Sequence, residues 1–275
     1  MAEPRVSTTR LRKALDTLER RLPWRAFSVD EAEAALGLSK RTVSLILAGL
    51  TDQGMIARTG RGTYSRLPKP TLIPDPKTLP SASKRLHKAL TTEGIQFALS
   101  CLDVLAGYTH LALRQYPHFS WVASGSEDWA AEAAERAGFL PIREPKRPQV
   151  PLALDLAGDR NPLILRKTSI FYATVEGLAT VERALVDLHY EVTRERYPLD
   201  GAELLRIFYY VLTSVSADFP KMLRYAGLRR LKQEILWILR QFGERIDIPE
   251  AYLDPSVRPT KFVLKLPTVD EAMAR

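Results

Sequence analysis

Lys40, Arg41, Thr42 and Ser44 follow Ser39 in a stretch where Val43, Ile46, Leu47 and Leu50 recur at helical spacing. With those apolar residues on an inner stripe, Lys40, Arg41, Ser44, Leu45 and Ala48 face outward. Such a basic, short-chained leading end suits entry into the major groove of double-stranded DNA, where cations meet phosphates and short polar groups reach base edges. Arg58, Arg61 and Arg66 form a second basic group. They lie in two short runs, 55–58 and 62–66, joined by Thr59-Gly60-Arg61-Gly62, and the pattern reads as a hairpin with Arg61 at its tip.

These side chains need a scaffold, and the preceding residues supply one. Leu11, Leu15, Leu18 and Leu22 predict a first amphipathic helix ended by Pro23. Ser28 and Glu31 form a capping box opening a helix over 30–36, and Gly37 provides the left-handed residue that stops it. Ser39 then caps a helix over 40–53, stopped by Gly54. Helix, tight Gly turn, helix and hairpin predict a winged helix-turn-helix over residues 1–67. Residues 1–70 hold 13 Lys/Arg against 7 Asp/Glu, a net of +6 in a chain of net +8. Concentrated positive charge favours a phosphate-bearing partner, because each neutralised phosphate releases counterions. The competing reading is a small domain for protein contacts, with Lys40 and Arg41 merely solvated.

Other chemistries find little support. Ser124-Gly125-Ser126 superficially resembles the Gly-Ser turn of nucleotidyltransferases, but no pair of carboxylates follows at a spacing suited to magnesium. Ser126 reads instead as an N-cap, with Glu127 and Asp128 in the first turn. The phosphate-loop spacing and the Gly-x-Ser-x-Gly elbow are absent. The pair Tyr209-Tyr210 sits on an apolar helix, where packing is the default. Cys101, the single cysteine, lies in an apolar run and reads as a buried thiol. The four histidines show no metal-ligand spacing. The expectation is no catalysis, no metal and no cofactor. Without an apolar run of membrane-spanning length or a secretory signal, it is also a cytoplasmic protein with no membrane partner.

Pro68, Pro70, Pro74, Pro76 and Pro80 predict an extended, semi-rigid connector over 68–80. Beyond it, 81–275 reads as an α+β domain ending in a helical subdomain. Helices are expected at 83–92, 102–113 and 127–137, and strands at 95–100, 119–123, 151–155 and 163–169. Helices follow at 176–193, 201–215 and 221–242, the last broken near Gly227. Two basic clusters stand out. Arg143, Lys146 and Arg147 lie in a Pro-interrupted loop. Arg224, Arg229, Arg230 and Lys232 allow one continuous stripe, an accessory patch for DNA backbone or an acidic partner beside the plainer reading of a solvated face.

Three stretches carry a resemblance. Thr180-Val181-Glu182-Arg183-Ala184-Leu185-Val186-Asp187-Leu188 is similar to the helix following the sheet in AbiEi-type antitoxins of type IV toxin–antitoxin systems. Residues 228–239, ending at Phe242-Gly243, resemble that family's penultimate helix, and Tyr252-Leu253-Asp254-Pro255-Ser256 its closing segment before a last strand, here 261–266. The resemblance implies an autorepressor that binds its own operator and counters a neighbouring nucleotidyltransferase-like toxin. A ligand-sensing winged-helix regulator and a nucleotidyltransferase with a DNA-targeting head remain the alternatives.

Overall fold

The computed structural model describes residues 8–22, 27–52, 55–66, 72–109, 116–243, 245–246 and 248–274. The chain divides into two compact units, Met1–Lys69 and Pro70–Arg275. In the first unit α1 (Thr8–Arg21) buries Leu11, Ala14 and Leu18, every third or fourth residue. The two-residue β1 (Phe27–Ser28) leads into α2 (Val29–Leu36), which opens on a complete capping box. The Glu31 amide donates to the Ser28 hydroxyl, and the Ser28 amide donates to the Glu31 carboxylate at 2.7 Å. Gly37 ends α2 at φ 64°, a conformation that favours glycine. Helix α3 (Lys40–Asp52) then buries Val43, Ile46, Leu47 and Leu50.

Strands β2 (Ile56–Gly60) and β3 (Thr63–Arg66) pair antiparallel around Arg61-Gly62, and β1 adds on the other side of β3. The Phe27 ring stacks on Tyr64, and the Val29 amide donates to the Gly62 carbonyl, so hairpin and helices share one core.

The second unit is mixed α+β around a six-stranded sheet of order β6-β7-β5-β4-β9-β8. Its elements begin with α4 (Ser81–Thr92), β4 (Phe97–Leu99), a short α5 (Leu102–Leu105) and β5 (His118–Ala123). There follow α6 (Glu127–Arg136), β6 (Phe139–Arg143), α7 (Gln149–Ala157) and β7 (Asn161–Thr168), then the small strands β8 (Thr174–Val175) and β9 (Leu178–Ala179). The chain closes on α8 (Val181–Arg194), α9 (Gly201–Ser214), α10 (Phe219–Leu228), α11 (Lys232–Phe242) and α12 (Val269–Ala274). Strands β6, β7 and β5 run parallel, whereas β4 is antiparallel to β5. Leu163 and Leu165 of β7 join α4 and α6 in one core, while Ile164 joins α8 and the helical subdomain in the other. Both faces of the sheet are therefore covered, which accounts for the nearly continuous burial of β5 and β7.

Several expectations need correction. Residues 151–155 belong to α7 rather than to a strand; Pro151 falls in the helix's first turn, where no intrahelical amide partner is lost. Phe139–Arg143 is a strand not expected from the sequence, and it contains Pro141, which a central strand would not tolerate. It is an edge strand. The Glu144 amide donates to Leu165 and the Asn161 amide to Gly138, so even-numbered residues bond β7 and Pro141 turns its missing N–H outward. Residues 261–266 hold a short 3₁₀ turn, Val263–Lys265, in place of a last strand. The helix expected from Glu176 begins at Val181, since β8 and β9 precede it. Over its described part, 102–109, the helix expected at 102–113 is α5 followed by a 3₁₀ turn, Ala106–Tyr108. The break near Gly227 falls at 229–231, between α10 and α11. The connector is not extended throughout: Pro76–Thr78 is a 3₁₀ turn and Leu79 is buried in the second unit's core. Pro23, Gln53, Gly54, residues 67–71 and 110–113 lie outside the described residues.

Candidate nucleic-acid interface

Burying the inner stripe of α3 leaves Lys40, Arg41, Ser44, Leu45 and Ala48 exposed, on the face expected from the spacing. Ser39 immediately precedes the helix, and its hydroxyl lies 3.0 Å from the Thr42 hydroxyl. Lys40 is not free. Its ammonium donates to Asp30 of α2 at 2.6 Å, with both side chains well exposed, and that hydrogen bond raises the Lys40 pKa. Arg41 is exposed at the start of α3. In the hairpin, exposed Arg58 bonds the Gly60 carbonyl through Nε, across an irregularity in strand register, while Arg61 stands exposed in the turn. Arg66 ends β3, and its side chain lies outside the described atoms. The face thus combines cations of two elements with hydroxyl and methyl-sized side chains, the composition a groove-entering helix and its flank require.

The second unit draws one set of its charges inward instead, into a layer between the sheet and α8. Fully buried Asp187 accepts from Ser100 at 2.7 Å, Trp121 Nε1 at 3.0 Å, Tyr225 at 2.7 Å and, more weakly, Arg183 at 3.4 Å. Arg183, one helical turn earlier and also fully buried, donates to the Tyr172 carbonyl and the Thr174 hydroxyl. Glu182 accepts from the Asp218 amide. Three charged residues of the 180–188 stretch therefore tie strands β4, β5 and β8 to α8 and α10. Sequence spacing could have suggested this only through Arg183 and Asp187, which at four residues apart share a helix face.

Neighbouring pairs extend the layer. Arg166 grips Glu191 through Nε and Nη2 at 2.8 and 3.0 Å and meets Glu195 at 3.4 Å. Burial pushes the Glu191 carboxyl up to about 7, against the pull of Arg166. His189 Nε2 lies 2.7 Å from Glu234, which Arg194 also clasps. Burial would raise Glu234, but the hydrogen bonds from His189 and Arg194 prevail and hold it at about 2; burial pushes His189 down. The pair is therefore a neutral imidazole donating to a carboxylate. On the far side, Asp103 accepts from Ser83, His118 Nδ1 and the Phe119 amide, joining α4, α5 and β5.

No family model and no curated protein matches the chain.

The remaining candidates resolve on their surroundings. Cys101 turns the corner from β4 into α5 at φ 54° and ψ −132°, a strained conformation resembling a nucleophile elbow. Its thiol is fully buried, and burial, reinforced by Asp187, Glu191 and Asp103, pushes its pKa well up. The corner thus holds a thiol, not the reactive thiolate. Ser126 precedes α6 but does not cap it; its hydroxyl donates to the Ala123 carbonyl. Arg143 pairs with Asp128, leaving Lys146 and Arg147 exposed. An apolar cleft of about 410 Å³ lies between β6 and α7, lined by Leu140, Ile142, Gln149, Leu152 and Arg160. Among the described residues no cluster of three or more His, Cys, Asp or Glu is suited to a metal, and no helix is long and apolar enough to cross a membrane.

The continuous stripe of Arg224, Arg229, Arg230 and Lys232 does not form as expected. Arg224, Arg230 and Lys232 are exposed, whereas Arg229 is half-buried, its guanidinium over Trp121 at 4.3 Å and over Tyr190 at 4.9 Å. Arg229 is the C-cap residue of α10, just before the short turn to α11 in which Arg230 takes φ 58°.

Proposed function

We propose that the chain is a DNA-binding transcriptional autorepressor and antitoxin. Its first unit acts as a winged helix-turn-helix on its own operator, and the chain counters a neighbouring nucleotidyltransferase-like toxin in the cytoplasm, without catalysis or cofactor. The carrying observation is the outward face of α3, basic and short-chained, beside a hairpin that presents Arg58 and Arg61. In this reading α3 enters the major groove, with Arg41 and Ser44 nearest the bases, and the hairpin arginines contact backbone or minor groove. The antitoxin half rests on the likeness of residues 180–188, 228–239 and 252–256 to AbiEi-type antitoxins.

Titrating the full chain onto DNA upstream of its own gene tests the repressor half. Preference for that DNA over unrelated duplex, with affinity falling steeply as salt rises, is expected. Equal affinity for both duplexes would remove the operator. Co-expression with the adjacent gene, scored by growth, tests the antitoxin half; an adjacent gene without toxicity overturns it. The cleft between β6 and α7 favours a second reading, a ligand-sensing winged-helix regulator without a toxin.

A further inference from the structure

We infer that Leu45 is a specificity-determining residue of the proposed operator interface, reading the C5-methyl group of a pyrimidine, thymine or 5-methylcytosine, in the major groove. The inference deepens the repressor reading of α3 and rests on it. Leu45 is 38% exposed, the one large apolar side chain so exposed among the described residues of the first unit. The other large apolar residues of α3, Val43, Ile46, Leu47 and Leu50, are all buried in that unit's core. Leu45 is left out. A single exposed leucine on an ordinary surface needs no explanation, because folded proteins leave much apolar area in water. Its position on α3 is what gives this one a use.

Successive helix residues turn by about 100°, so Arg41, Leu45 and Ala48 fall within about 60° of one another, in a stripe opposite the buried one. All three are exposed. Helical side chains lean over the turn N-terminal to them, which carries Leu45 toward Arg41 and the leading end of α3. Its remaining neighbours are small: exposed Ser44 and Ala48, and half-buried Gly49. Gly49 is kept small from inside, since a Cβ there would meet Leu11 Cδ2 at 3.1 Å. Leu45 therefore stands proud of the helix, with only Arg41 rising beside it. The stripe ends at exposed Asp52, a charge that repels phosphate, so the segment that enters the groove is 40–48. An isobutyl group neither donates nor accepts a hydrogen bond, and against a polar base edge it would leave that edge unsatisfied. The apolar group that the major groove presents is the pyrimidine C5-methyl, and contact with it takes apolar surface out of water on both sides.

The test uses the full chain and the duplex upstream of its own gene, with thymine replaced by deoxyuridine, first throughout and then one position at a time. The wild type should lose affinity by about three- to tenfold at one or two positions, the weight of a buried methyl group. Leu45→Ala should weaken binding to the thymine duplex by a similar factor, bind the thymine and uracil duplexes alike, and melt as the wild type does. Cytosine methylated at C5 in the same duplex separates the two sources. A gain that depends on Leu45 identifies 5-methylcytosine; a loss on uracil replacement that depends on Leu45 identifies thymine. Should the alanine variant melt early, Leu45→Gln, polar and of similar length, carries the comparison. Preference for the upstream duplex with no response to uracil or to methylcytosine overturns the role of Leu45 and leaves the operator standing. Equal affinity for that duplex and an unrelated one removes operator and inference together. A methyl preference undiminished in the variant also overturns it, as does a change in oligomeric mass with unaltered DNA affinity, which assigns Leu45 to contact between copies.

Discussion

In the first unit the basic side chains at the start of α3 face outward, while in the second most charged residues of α8 are buried and held by partners. Arg41 is exposed at the start of α3, whereas Arg183 is fully buried with three acceptors around it. The same residue type therefore does opposite work. An exposed cation costs the fold little and is available to a partner; a buried one is retained only because its desolvation is offset by aimed acceptors. The contrast separates a surface left open to solvent from one that holds helices on a sheet.

The largest test of that contrast removes its hub. Asp187→Ala would leave Ser100, Trp121 Nε1, Tyr225 and Arg183 without their common acceptor. Breaking such a buried set should destabilise the second unit by about 3–5 kcal/mol, read in denaturant unfolding. The first unit should melt as before, because its core is separate. A loss below about 1 kcal/mol would mean that solvent or repacking already satisfies these donors.

Arg41→Ala comes next. It should leave the melting temperature unchanged and cost roughly 1–3 kcal/mol of operator affinity, with relaxed preference at one base position if Arg41 reads a base edge. Undiminished affinity in a Lys40/Arg41 double alanine variant would move the interface elsewhere on the chain.

How much of this was legible beforehand follows from the same contrast. In the first unit local signals agree: Ser28 and Glu31 cap, Gly37 stops, and Val43, Ile46, Leu47 and Leu50 bury, so pattern alone exposes Lys40 and Arg41. In the second, periodicity treats Glu182, Arg183 and Asp187 as a polar face turned to water. Their partners come from residues up to 87 positions away, as in Ser100 to Asp187, and no local window contains them. The strand expected at 261–266 came from the resemblance and 151–155 from a short apolar run, which alone does not separate strand from helix, while burial on both faces of the sheet erased the alternation that marks half-buried strands. The basic run Arg224, Arg229, Arg230 and Lys232 likewise carries no local sign of Trp121 and Tyr190, the distant rings against which Arg229 is half-buried.

Acid should act on the inward-paired charges of the second unit. Glu234 sits at about 2, below its ordinary 4.5, so its contribution is complete above 4.5 and fades as pH falls toward 2. His189, also lowered, loses its contribution as pH falls below its ordinary 6.5. Glu191, raised to about 7, works in reverse: its contribution is present below 4.5 and is lost as pH rises through 7. Unfolding followed against pH should show the steepest loss below 4.5, and Glu234→Gln should flatten that limb. An unchanged slope in the variant would place the acid sensitivity in other carboxylates.

The smallest expected effect lies back on the first unit, at the ion pair between Asp30 and Lys40. Both side chains are exposed, 74% and 64%, so the pair should add little to stability. Its weight lies in competition. Asp30 holds the Lys40 ammonium at 2.6 Å, so in the proposed complex DNA would have to draw that cation away or accept a carboxylate near the backbone. Asp30→Asn should leave the melting temperature within error, raise affinity for the operator, and steepen the dependence on salt by about one further phosphate contact. The gain should vanish in Lys40→Ala, since the two substitutions act through one cation. Weaker binding in Asp30→Asn would show that Asp30 orients Lys40 for its contact, making the pair part of the interface and not a restraint upon it.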